Sequence, residues 1–258
     1  MTNSNRSNAG RAFWKNWDPW FFPSKSIDIA SIQDWAKKDY AYLAHPNRFR
    51  KEIGIVGIGG YGETLVAQSV FDRSPVGIVG IWINLQAIQK GKIDFKKILK
   101  AMLKQCDDGQ RDFVDGGVEV EELLEALCKA LWSKSYLLVF DRIWDINLDW
   151  YFRLKERLEW CNKSNQSRRR KRRIIMITTR LDGVAKRMVG PNNLYRIQPF
   201  SDEDIWLNIE TFTDTFGFPL DHPIVLKTKD EITYHCHGLP LAATTLHTIM
   251  VNRIYGGE

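Results

Sequence analysis

Apolar positions along the chain fall into two kinds of run, and their alternation predicts most of the fold. Short, nearly continuous and largely β-branched runs occur at EIGIVG (52–57), VGIVGIWINL (76–85), YLLVFD (136–141) and RIIMITT (173–179). Between them lie stretches in which apolar residues recur every three or four positions. These are TLVAQSVF (64–71), FKKILKAMLKQC (95–106, with Phe95, Ile98, Leu99 and Leu103 on one face), VEVEELLEALCKALW (118–132) and the charge-rich LKERLEWC. The acids at the start of the 118–132 stretch suit a helix N-terminus, where the macrodipole favours negative charge. Strands without polar alternation, separated by helices, predict a parallel sheet covered on both faces.

From about residue 199 the alternation stops. SDEDIWLNIETF opens with Ser201 and Asp204, the spacing of a helix cap, and continues amphipathically. HPIVLKTKDEITYHCHG reads as a second helix with Pro223 near its start and Gly238 ending it, and PLAATTLHTIMV as a third opened by Pro240. The predicted organisation is an N-terminal arm and short helix over 1–50, an α/β unit over 51–198 and a helical unit over 199–258. The arm carries Phe13, Trp14, Trp17, Trp20, Phe21 and Phe22, a cluster that reads as a docking arm more readily than as a ligand site.

Composition narrows the class. At 258 residues, 44% hydrophobic and 26% charged, the chain suits a globular fold with a sizeable core, and no apolar run approaches a membrane span. The net charge of +6 equals the charge of one run, Arg168 to Arg173 (RRRKRR), so the rest is neutral. That run reads either as a solvated loop or as a nuclear-import signal that would engage an import receptor. A basic character so local argues against a nucleic-acid surface. Cys106, Cys128, Cys161 and Cys236 show no metal-like spacing and read as reduced thiols of an intracellular protein, cytoplasmic or nuclear.

The candidate chemistry lies in GIGGYGETL, residues 57 to 65. A strand, a glycine-rich turn and a helix direct backbone N–H groups and a helix N-terminus at an anion. Gly57, Gly59, Gly60 and Gly62 let the backbone curl, Leu65 begins the helix, and Thr64 offers a hydroxyl to a magnesium ion. Position 63, however, is Glu where a phosphate-binding loop carries Lys. Asp141 ends its strand as a second magnesium ligand would, and Thr178, Thr179 and Arg180 end another, with Arg180 placed to sense a γ-phosphate. HCH (235–237) resembles a metal cluster, but three adjacent side chains at a helix end do not converge on one ion.

Taken in order, GIGGYGETLVAQSVF, GIWINL, YLLVFDRIWD, IIMITTR, LYRIQPFSDEDIWLNI and CHGLPLA resemble the NB-ARC nucleotide-binding module of plant NLR disease-resistance proteins. The resemblance covers roughly residues 51–255. It implies a P-loop NTPase-type α/β fold followed by a helical ARC subdomain, an ADP or ATP ligand with magnesium, and immune-signalling partners, other NLRs among them. It also implies that Pro240 packs beside the adenine, and that Cys236 is a family cysteine. Two positions depart from the family pattern: Glu63 for the loop Lys, and Arg142 for a second acid expected to polarise the attacking water. The expectation is a degenerate site with weak or absent nucleotide binding and no competent catalytic residue. The alternative is an active NTPase switch in which Arg142 replaces the lysine. Two consequences are open: an ion pair between Glu63 and Arg142 that occupies the emptied phosphate pocket, or independent decay of an idle site. Within these residues nothing resembles a TIR domain, a long coiled coil, leucine-rich repeats or the family's ADP-clamping MHD segment.

Overall fold

The structure, a computed structural model, describes residues 50–72, 74, 76–88, 93–106, 117–132, 134–163, 171–207, 209 and 223–255. Strand β1 (Arg50–Val56) leads through the glycine-rich loop into α1 (Glu63–Asp72). There follow β2 (Ile78–Asn84), the single turn α2 (Leu85–Ile88), α3 (Phe95–Cys106), α4 (Val120–Leu131), β3 (Ser135–Asp141) and α5 (Asp149–Lys163). Then come β4 (Arg173–Thr179), α6 (Asp182–Val189) and the short β5 (Leu194–Arg196). Residues 202–207 are helical, and α7 (Pro223–Cys236) and α8 (Pro240–Tyr255) complete the described chain. The predicted arm and its helix, residues 168–170 of the basic run and the remainder of the helix begun at Ser201 lie outside the described residues.

Five strands form one parallel sheet in the order β2-β3-β4-β1-β5. Its two faces explain why the strand sequences are apolar without alternation. Tyr136, Leu138 and Phe140 point to one face, where Leu99, Met102, Leu124, Leu127 and Leu154 pack over them. Leu137 and Val139 point to the other, toward Val66, Ala67, Trp206 and Ala243. Each such side chain removed from water contributes about 1.5–3 kcal/mol, so neither face tolerates a polar substitution. The cap read at Ser201 is made: its hydroxyl donates to the Asp204 carboxylate at 3.1 Å and accepts the Asp204 backbone N–H at 3.2 Å.

One expectation is corrected. Cys128 on α4 and Cys161 on α5 are joined by a disulfide, with Cα atoms 6.2 Å apart, while Cys106 and Cys236 are free. A sequence separation of 33 carries no pairing signal. The side-by-side packing of α4 and α5 brings the two together.

Candidate functional site

All five strands run the same way, so their C-terminal ends share one edge of the sheet, the edge where open α/β sheets bind ligands. Pairing puts Asn84 opposite Asp141 and Val56 opposite Thr179, with β4 lying between β1 and β3. The loop after Val56 therefore curls over the carboxylate of Asp141 two strands away. Gly60 and Gly62 adopt φ of +96° and +94°, values that residues with a Cβ rarely take, and the first helical bond of α1 runs from Val66 N–H to Gly62 O at 2.9 Å.

Glu63 opens α1, and its side chain folds back into the loop. A Cβ on Gly57 would lie 2.9 Å from Glu63 Cγ, 3.2 Å from Cδ and 3.3 Å from Oε1. Burial raises the pKa of this carboxyl; the backbone N–H groups of Glu63 and Gly62 and the charge of Arg180 act the other way, favouring the anion. Arg180 closes the loop from above. Its guanidinium lies so close over Gly59 that an added Cβ would be 2.3 Å from Cζ, and it stacks on Trp144 at 4.4 Å from the ring centroid. Leu239 and Leu241 cover Gly60 from the helical unit, and between them Pro240 is buried. Leu65 is half-buried on the first turn of α1.

The second half of the site centres on Asp141, which is fully buried. Its Oδ1 accepts the hydroxyls of Thr64 at 2.8 Å and Thr178 at 2.7 Å, and its Oδ2 accepts Asn84 Nδ2 at 3.4 Å. Burial pushes its pKa up, and the two threonine hydroxyls and the Arg142 charge pull the other way. Arg142 follows with φ of +61°, a left-handed conformation costly for a residue with a side chain. Its backbone N–H donates to Thr178 Oγ1 at 2.8 Å, which holds the turn in place. From there the guanidinium lies 3.7 Å from Asp141 Oδ2, donates to Gln86 Oε1 at 2.8 Å and reaches Thr64 Oγ1 at 3.5 Å.

The expected ion pair between Glu63 and Arg142 is not formed. The left-handed turn at Arg142 sends its side chain toward Asp141 and Gln86, and the cation acting on Glu63 is Arg180. The sequence-predicted glycines, Glu63, Thr64, Asp141, Arg142, Thr178 and Arg180 do converge at one edge. Cys236 is buried at the end of α7, whereas His235 and His237 are exposed beside it. Sequence reasoning missed Asn84, Gln86, Trp144, Leu239 and Leu241. Asn84, the one polar residue of the apolar run 76–85, was a signal for the first, since that run reads as a strand of the same sheet as YLLVFD.

The residues as arranged do not fit a magnesium nucleotide. A carboxylate lies over Gly57 inside the anion-directed loop, and a guanidinium stands against the two oxygen groups, Thr64 and Asp141, that would hold the metal.

Among known proteins, the NB-ARC domain model matches residues 41–214. Disease resistance RPP13-like protein 4 of Arabidopsis thaliana is 27% identical over 244 residues, which cover 91% of this chain and 26% of that protein. Disease resistance protein RGA2 of Solanum bulbocastanum is 30% identical over 204 residues, covering 76% of this chain and 19% of that protein. The chain thus spans a minor part of the length of the curated relatives it matches. Among solved structures, the Aeropyrum pernix ORC1 protein in complex with DNA matches with a TM-score of 0.57 at 18% identity, over 89% of this chain and 60% of that one. Cdc6p from Pyrobaculum aerophilum matches with a TM-score of 0.52 at 16% identity, over 78% and 52%. At such identities the likeness concerns the fold alone, a P-loop NTPase-type sheet with helices on both faces.

Proposed function

The chain belongs to the NB-ARC family, and from that premise we propose that it is a defence-related module of the nucleotide-binding class that does not hydrolyse ATP and acts as a scaffold or regulatory partner. The observation that carries this reading is Glu63 folded over Gly57 inside the phosphate loop. A unit charge at 4 Å acts with about 4 kcal/mol at an effective dielectric near 20. Exchanging an attractive lysine for a repelling carboxylate therefore weakens a polyphosphate by several kcal/mol, and each ~1.4 kcal/mol is about tenfold in affinity. Arg142, at the position of the second acid, has no lone pair with which to accept a hydrogen bond from the attacking water.

ADP or ATP binding is accordingly weak or absent on this reading. The partners would be other NLR or immune-signalling proteins, since the relatives are named for disease resistance. Arg168–Arg173 would recruit a nuclear-import receptor. Among the described residues no helix is long and apolar enough to cross a membrane.

Phosphate release from ATP with magnesium tests the reading. The purified protein is expected to stay at the buffer rate. Turnover that disappears in Thr64→Ala would overturn it and make the chain an NTPase.

A further inference from the structure

Both halves of the site present charges of the sign that a magnesium nucleotide would bring. The loop is an anion cradle built from backbone N–H groups at the start of α1, and the group folded into it is the carboxylate of Glu63. The oxygen pair Thr64 and Asp141 is built for a cation, and the group beside it is the Arg142 guanidinium, fixed by Gln86.

We propose that this chain fills its own nucleotide site: Glu63 is a tethered stand-in for a phosphate and Arg142 for the divalent cation, so the loop holds its closed shape with neither ligand. Arg180 then faces an internal anion. It lies on Gly59 and Trp144 with the Glu63 charge within its field. Because Leu239 and Leu241 rest on Gly60, a loop held from within also keeps a fixed seat for the start of α8. The helical unit is docked in one state and does not respond to nucleotide. This deepens the non-hydrolysing reading and rests on it, but it makes a separate demand: an external anion enters the cradle only once the Glu63 carboxylate has left it.

The probe is inorganic pyrophosphate, with and without magnesium, read as the thermal unfolding midpoint of the full chain, its Glu63→Gln variant and its Glu63→Ala variant. The isosteric Glu63→Gln keeps the shape and removes the charge, so the test survives if Glu63→Ala folds poorly. In buffer Glu63→Ala is expected to melt below the parent and Glu63→Gln close to it, because burial disfavours the Glu63 anion. Pyrophosphate is expected to raise the variants by about 2–4 °C once in several-fold excess over its dissociation constant, and to leave the parent unmoved. A parent that shifts as much as the variants overturns the proposal, as do variants that pyrophosphate leaves unmoved. ATP turnover plays no part in this readout, so hydrolysis by the parent would defeat the non-hydrolysing reading without mimicking either result.

Discussion

On one side of the first turn of α1, Asp141 is enclosed by matched donors: Thr64 and Thr178 on one oxygen, Asn84 on the other. On the other side, Glu63 and Arg180 face each other across a loop of glycines, and each is held by contact with backbone more than by directed side-chain bonds. The first half keeps Thr64 and Asp141, the oxygen groups of a P-loop site, and departs from it only at the neighbouring Arg142. The second keeps its backbone and Arg180 but reverses the charge at its central position. The difference shows what each half asks of its side chains. A buried carboxylate is stable only while its donors persist, so that half resists change. A loop whose work is done by N–H groups and glycines accepts a new side chain, provided the newcomer is an anion.

The largest effect is expected where the network is tightest. Asp141→Ala removes the acceptor of one buried hydroxyl, Thr178, and one half-buried, Thr64, and it should lower unfolding stability by on the order of 3 kcal/mol in a urea titration. A loss below about 1 kcal/mol would mean that the threonines find other acceptors, and the contrast between the halves would disappear. A smaller effect is expected over the loop. Arg180→Ala and Trp144→Ala, measured singly and together, should show a coupling energy of about 0.5–1 kcal/mol from their stacking. Strict additivity would mean that Arg180 is placed by Gly59 and Glu63 without Trp144.

Much of this was legible in the sequence, and the exceptions have physical causes. The helix 95–106 and the strand 173–179 coincide with α3 and β4, because their apolar patterns are long and uninterrupted. The eight residues of α6 and the three of β5 are too short to display a period. Which residues would meet at the sheet edge was readable from motif order. Which way they would point was not. Pairing Glu63 with Arg142 was reasonable on charge alone, but it depended on a backbone angle at Arg142 and on the insertion of β4 between β1 and β3. Neither feature is written in local sequence. The same strand order delivers Thr178 to Asp141 and Arg180 to Gly59, so one topological fact decides both halves of the site.

Whether Glu63 closes the cradle to nucleotide is tested most directly by calorimetric titration of ADP into the parent chain and Glu63→Lys. The parent is expected to give no binding heat at millimolar ADP. Glu63→Lys should bind at least about a hundredfold more tightly than any parent signal, since a repulsion is exchanged for an attraction. Parent binding as tight as that of Glu63→Lys would contradict the account and show that Glu63 leaves the loop when a nucleotide enters.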